Sequence, residues 1–573
     1  MMRMIVTGII IPITLITQIT VQTSAQSPAT KLSVLTRVSG IPARNDFAII
    51  AAKIRLGLDT ADAYRHLDTL LARAYGDMFW MYGCAGLFYA TQDVLRPEYK
   101  ARIRSAWKHN TPYRGDTENH FLMYYGSLLL MSQAWPDLAD TEWFMGKSSR
   151  AIYAESKAYL DHWIDETTRF GTTEWSSPRY GYYYITPLLL LAEYTKDARL
   201  KRRFTMMLEY ILADYASDYL NGSYCGTHSR VGDDAALDPR KAEINSYGQY
   251  FFEDSVTHLL PDVAFATMTK FTCPKIIRQI ATDRTEPYEQ FSLKRGRQMI
   301  RYMDEWSKSD ATHDSTFHAP VYKYEYMTKD YCLGSMQGGI VQPIQQQSWS
   351  LVFNSAKPNN IITGLHPYVS ADELGMFFPE YPSFMLERIE QVKKGYTSED
   401  KSYGGSPYER IYQDKNVLVA LYDLPDSVKY HEYDLFIPTD FVGSSLEDEG
   451  KPGWINITDW KHYVWVYMLS PYEIIQEEHG KRFRSKASHG GYVVWCQPPK
   501  WFDVDEGCYD SVVVANDKVE LLCSKARNRT LMKLSKIENK NWLFHSPFLE
   551  SKKGSGVLTI RYKGKTRVLD FTK

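Results

Sequence analysis

The chain has 573 residues, with 67 Lys and Arg against 68 Asp and Glu, a formal net charge of −1. That balance excludes a surface that wraps a polyanion over its whole extent, although not a local basic cleft. At 44% hydrophobic and 24% charged the composition is that of a folded globular protein, and the 14% of aromatic residues supplies ring faces that fill cores or carry sugar rings.

At the N-terminus Arg3 precedes an apolar, threonine-rich run from Ile5 to Val21, closed by Thr23-Ser24-Ala25. The pattern predicts a secretory signal peptide over residues 1–25, hence an exported protein, periplasmic or secreted, with no membrane association after cleavage. An uncleaved anchor is the alternative, because the run approaches the length of a membrane span. The seven cysteines are few and odd in number, so the fold does not depend on a disulfide framework, although Cys496 can pair locally with Cys508 or Cys523. Neither a C-x-x-C pair nor an H-E-x-x-H motif occurs, and no metal or cofactor is expected.

From about Asp46 to Met303 apolar residues recur at helical spacing, in Phe47 to Leu56, Ala63 to Tyr75, Phe121 to Trp135, Ala151 to Ile164, Tyr182 to Tyr194 and Phe204 to Tyr215. Such a succession, with short turns and inward aromatics, predicts an α/α toroid of helical hairpins over residues 26–315. Past about Tyr322 the period shortens to two, in Ser348 to Phe353, Val417 to Tyr422, Tyr463 to Met468, Gly491 to Cys496, Ser511 to Ala515, Gly556 to Tyr562 and Thr566 to Phe571. These runs predict an antiparallel β-sandwich over residues 316–573, joined to the helices between Asp304 and Tyr322. The expected fold class is therefore α+β and multidomain. Lys394 to Pro407 reads as a long surface loop, or a roof over a cleft on the helical half.

Four segments carry candidate chemistry. Thr117-Glu118-Asn119-His120 opens an aromatic helix, so Asn119 and His120 project from its first turn. The bland alternative is a capping threonine followed by polar first-turn residues. In Gly171 to Tyr184, Glu174 and Trp175 precede Ser177-Pro178, which predicts a helix start, with Arg179, Tyr180 and Tyr183 at its mouth. The Gly-rich loop Gly222 to Arg230 carries His228 and Arg230, and Asn245 to Tyr250 adds Tyr247. Abstracting a proton next to a carboxylate requires the carboxylate charge to be offset, which amide, imidazole and guanidinium donors do. A histidine or tyrosine takes the proton, and a tyrosine protonates the departing oxygen. Asn, His, Tyr and Arg together thus point to β-elimination from a uronic-acid polysaccharide.

The Asn119-His120 pair before an aromatic helix resembles that of alginate lyases and related uronate lyases of the α/α-toroid type. The stretch from Gly171 through Tyr180 to Pro187-Leu188-Leu189-Leu190-Leu191-Ala192-Glu193 is similar to a segment of the same families. A toroid followed by a β-sandwich is the layout of many heparinase- and chondroitinase-like lyases. The resemblance implies that Asn119 offsets the substrate carboxylate, His120 assists or acts as base and Tyr180 is the catalytic tyrosine, with Tyr183 and Tyr247 as rivals. His228 and Arg230, on chemistry alone, are a second base or carboxylate binder, and Glu174, Trp175, Arg179 and Tyr183 bind substrate. The expected partner is an anionic polysaccharide or oligosaccharide.

Two other readings stand beside this one. A glycoside hydrolase on the same scaffold would pair Glu174 with Glu118, Asp116 or Asp233. A non-catalytic glycan-binding protein would use exposed rings such as Trp175 or Trp454. Nucleic acid is not an expected partner: Lys201-Arg202-Arg203 is a short solvated helix face.

Overall fold

The computed structural model describes residues 27–74, 77–109, 113–115, 117–297, 318–338, 345–369, 397–442, 450–497, 511–515, 518–522, 530–535 and 541–573. The expected signal peptide, Asp116, Cys508 and Cys523 lie outside the described residues. The architecture is α+β, helices first and antiparallel sheets second.

Among the described residues the helices are α1 (Pro28–Ser39), α2 (Phe47–Leu56), α3 (Thr60–Ala72), α4 (Met78–Thr91), α5 (Pro97–Lys108), α6 (Glu118–Ala134), α7 (Ser149–Phe170), α8 (Tyr182–Tyr194), α9 (Ala198–Ser217), α10 (Asp233–Ala236), α11 (Asn245–Gly248), α12 (Val263–Thr267) and α13 (Lys275–Thr282). Their ends follow from local chemistry. The Asp46 carboxylate accepts from the N–H groups of Ala48 and Ile49 at 2.8 and 3.1 Å and starts α2, and Gly57, at φ +67°, ends it. Asp77 caps α4 through the Trp80 N–H at 2.7 Å. Helices α4, α6 and α8 are apolar on nearly every side and buried almost throughout, whereas α7 and α9 bury one face and leave charged residues in solvent.

Strand Tyr288–Arg297 lies inside a twelve-stranded antiparallel sheet. On one side it pairs with His318–Met327, which leads through Tyr331–Gly338 to five further strands. On the other side it pairs with Trp542–His545, and three more C-terminal strands complete that edge. A second antiparallel sheet of five strands packs against the first: Leu351, Leu435 and Phe483 share a core with Leu418, Val466 and Val494. The helical core, in turn, takes in Leu543, Phe544, Leu549, Ile560 and Leu569 from the C-terminal strands.

The change from helix to strand therefore comes by Tyr288, before the expected junction between Asp304 and Tyr322. The reason is that this strand buries its polar residues. Gln290, Ser292 and Lys294 face the helices, where Lys294 pairs with Asp214 and Gln290 donates to Asp218 at 2.8 Å. Cys496 is a buried free thiol. Among the described residues no helix is long and apolar enough to cross a membrane.

Candidate functional site

Three successive residues of the first turn of α6 have three different environments, as the rotation of about 100° per residue requires. Glu118 turns inward. One carboxylate oxygen accepts from the Trp163 indole at 2.9 Å, and the other accepts from the Thr173 backbone at 2.6 Å, the Thr173 hydroxyl at 2.7 Å and the Tyr184 hydroxyl at 2.8 Å. Burial alone would raise its pKa, but the Arg295 charge and these donors outweigh burial and hold the carboxyl below the usual range. Asn119 is fully buried and gives both its backbone N–H, at 2.9 Å, and its side-chain amide to one oxygen of Glu174. The other Glu174 oxygen accepts from the Arg230 guanidinium at 2.8 Å. His120 alone of the three is half-exposed, its ring edge-on to Phe79 with centroids 5.3 Å apart. The loop before α6 passes so close that a Cβ on Gly115, at φ +76°, would lie 2.5 Å from the His120 ring.

The expected helix start at Ser177-Pro178 is a single turn instead. The Ser177 hydroxyl does accept from the Tyr180 N–H at 2.9 Å, but the Pro178 carbonyl is taken by the Ile244 N–H at 3.2 Å, so the helix α8 begins only at Tyr182. The turn leaves Tyr180 half-exposed between two cations, with the Arg230 guanidinium 4.3 Å and that of Arg179 5.6 Å from its ring centroid. Tyr180 stacks on Tyr183 at 6.4 Å, and Tyr183 meets Phe79 at 5.2 Å. An unbroken run of rings thus links the guanidinium groups to His120. Arg179 is exposed at the mouth, 3.9 Å from Glu243.

Beneath this surface the β half enters. Lys323 places its ammonium 2.7 Å from the Ser176 hydroxyl, 3.0 Å from Asp218 and 2.7 Å from Glu325, all buried. Burial, then the Glu325 charge, pushes Asp218 up to about 8. Ser176, whose carbonyl lies 2.7 Å from His228 Nδ1, is thereby tied to both halves. Burial first, and then the Lys323 charge, push the His228 pKa down to about 3, so its imidazole is neutral and sealed.

The structure brings Asn119, His120, Glu174, Arg179, Tyr180, Tyr183 and Arg230 into one neighbourhood, with His228 packed below them. Several expectations need correction: Asn119, Glu174 and His228 are buried and bonded within the fold, so none of them meets a substrate, and two rings fail likewise. Trp175 is 1% exposed and packs with Val321 and Met336 of the sheet, so it offers no platform to a sugar. Tyr247 is fully buried, its hydroxyl 2.6 Å from that of Thr186 and its ring stacked on Tyr182, which removes it from the cleft. Phe79, Asp218, Lys323 and Glu325 went unsuspected. Phe79 follows a visible cap at Asp77, but nothing in Tyr322-Lys323-Tyr324-Glu325 marks the charged pair as inward.

A histidine and a tyrosine at one aromatic face, with guanidinium groups beside the tyrosine, can move a proton in and a proton out next to an anion. Among the described residues no group of three or more His, Cys, Asp or Glu is placed to hold a metal ion. No protein-family model and no curated protein matches the chain.

Proposed function

We propose that the protein is an exported polysaccharide lyase that cleaves a uronic-acid-containing polysaccharide by β-elimination. The observation that carries this reading is the pairing of two half-exposed proton carriers, His120 and Tyr180, on separate elements of one ring-lined face, with Arg179 and Arg230 against the tyrosine. In this mechanism His120 takes the proton on the carbon next to the uronate carboxylate. The electron pair left behind forms a double bond to the neighbouring ring carbon as that carbon's bond to the glycosidic oxygen breaks, and the departing oxygen takes the Tyr180 hydroxyl proton. Exposed Arg179 offsets the substrate carboxylate directly, and Arg230 acts through the Tyr180 ring.

Asn119 takes a different part from the one the lyase resemblance implies. Its backbone N–H and its side-chain amide both give to Glu174 and the residue is fully buried, so it positions the α6 turn instead of touching substrate. The hydrolase alternative is weakened by the same bonds. Glu174 and Glu118 are buried with both oxygens of each already accepting, whereas a hydrolase pair must reach the glycosidic bond. In the finer architecture of this reading α4, α6 and α8 are inner helices of a toroid, α7 and α9 outer ones, and the two packed sheets a β-sandwich.

The test is to incubate the chain from Gln26 onward with alginate, glucuronan, heparan and chondroitin sulfates, hyaluronan and ulvan. Ultraviolet absorbance of the unsaturated uronate and new reducing ends are followed together. Both should rise on at least one polymer and both should vanish in His120→Ala and Tyr180→Phe. Reducing ends without absorbance would overturn elimination in favour of hydrolysis.

A further inference from the structure

Of the five described cysteines, Cys225 and Cys332 meet where the two halves of the molecule join. Cys225 sits in the loop Gly222 to Arg230, which carries His228 and Arg230 to the site. Cys332 is the second residue of strand Tyr331–Gly338 in the twelve-stranded sheet. Both are 0% exposed and share one small apolar cluster with Leu220, Met327 and Val352, the last two lying opposite Cys332 on its neighbouring strands. The Cys225 thiol donates to the Ser223 carbonyl at 3.8 Å, and the Cys332 thiol donates to the Cys225 sulfur.

The backbone holds the two sulfurs together. Positions two apart on a strand share a face, so Cys332 and Gly334 are both on the side that meets the loop. A Cβ on Gly334 would lie 2.6 Å from the Gly226 Cα, so loop and strand touch there with no side chain between them. On one flank the Cys225 N–H donates to the Asp218 carbonyl at 2.9 Å, and on the other the Ser350 hydroxyl donates to the Gly226 carbonyl at 2.6 Å. Further along, His228 pairs with Gln347 in an antiparallel bridge. A loop fixed at these points keeps Cys225 against Cys332 for as long as the halves stay joined.

We propose that Cys225 and Cys332 form a disulfide when the chain folds in an oxidising compartment, a covalent staple between the helical half and the sheet. The oxidant is another disulfide. One cysteine, as thiolate, attacks it and releases a thiol; the second then attacks the mixed disulfide and releases another thiol as the Cys225–Cys332 bond closes. Two protein thiols are thereby oxidised and one disulfide is reduced to two thiols. The exchange belongs to folding, before the halves close. In the finished fold contact with Cys225 first, and burial second, raise the Cys332 pKa well above the ordinary thiol value, so no thiolate is offered there. The ring that the staple closes spans more than a hundred residues, which constrains the unfolded chain strongly. The proposal rests on the export reading for its oxidant, and not on the lyase reading.

The test sends the chain from Gln26 onward into an oxidising secretory compartment behind a generic secretion signal. The product is unfolded in urea with an alkylating agent and no reductant, then digested and mapped by mass spectrometry. The expected result is a pair of peptides joined through Cys225 and Cys332, two hydrogens lighter than the separate thiols and parted by reductant. Both cysteines recovered alkylated, or either joined to a different cysteine, overturns the proposal. The same chain made in a reducing cytoplasm, with both thiols free, should melt several degrees lower; equal melting would overturn the staple. Export is read separately, from whether the full chain leaves the cytoplasm. Retention there sinks the export reading, while the map of the secreted chain alone decides the bond.

Discussion

Glu118 and Asn119 on one side, and His120 on the other, are neighbours in sequence with opposite physical circumstances. The first two are sealed, Glu118 with both oxygens accepting and Asn119 with its backbone N–H and side-chain amide given to Glu174, whereas the third shares a half-open ring surface with Phe79, Tyr183 and Tyr180. The difference teaches which polar residues are scaffold and which are reagents. A buried charge whose every lone pair is used holds geometry in place, because any change of its protonation would leave donors unsatisfied. A group with a face toward solvent is the one that can meet a substrate.

Substitutions that exchange the two sides break this comparison most sharply. His120→Ala should lower kcat on the cleaved polymer by about 10²–10⁴-fold with the melting temperature nearly unchanged, measured by absorbance kinetics and thermal melts. A parallel loss of folding would mean that His120 is scaffold after all. Glu174→Gln should do the reverse. It leaves the Arg230 guanidinium buried without its counter-charge, and we expect a loss of about 3–5 kcal/mol of stability in urea titrations. Retained stability with abolished activity would instead favour the hydrolase reading.

The buried side should also govern the pH dependence. Asp218 and Asp262 are both pushed up to about 8, so between the ordinary carboxylate range and pH 8 the folded chain holds protons that the unfolded chain has released. Their contribution is complete below the unfolded value and is lost as pH rises toward 8. His228, pushed down to about 3 from 6.5, works in the opposite sense, its contribution growing with pH up to 6.5 and constant above. Melting temperature should therefore fall between pH 6.5 and pH 8, and Asp262→Asn should flatten that fall. A rise over this interval would contradict the assignment. The smallest effect belongs to Tyr247→Phe, which removes one buried hydrogen bond to Thr186 and should cost about 1 kcal/mol in denaturant titrations, with activity unaltered.

Where the pattern of the chain is regular the fold was legible. Phe47–Leu56, Tyr182–Tyr194, Tyr463–Met468 and Ser511–Ala515 have the bounds that their periodicity implies. The locality of the site was also legible, since capping chemistry and the clustering of His, Tyr and Arg are local signals. What stayed hidden depends on partners remote in sequence. Lys323 is buried only because Asp218 and Ser176, more than a hundred residues away, receive it, and Tyr288–Arg297, inside the stretch expected to be helical, is a strand whose inward polar residues meet Asp214 and Asp218 in the same way. Trp175 misleads in the opposite way, because a ring in a polar loop reads as exposed until Val321 and Met336 cover it.

The seating of Trp542–Asp570 against the helical core bears on how the chain is made. Leu543, Phe544, Leu549, Leu558, Ile560, Tyr562, Leu569 and Phe571 complete a core whose other buried members lie before residue 294. During synthesis the helices emerge well before these strands, so the helical half stays incompletely covered until they too have left the ribosome. Ordered domain-by-domain folding is therefore closed to this chain, and a truncation before Trp542 should yield an aggregation-prone product rather than a working half.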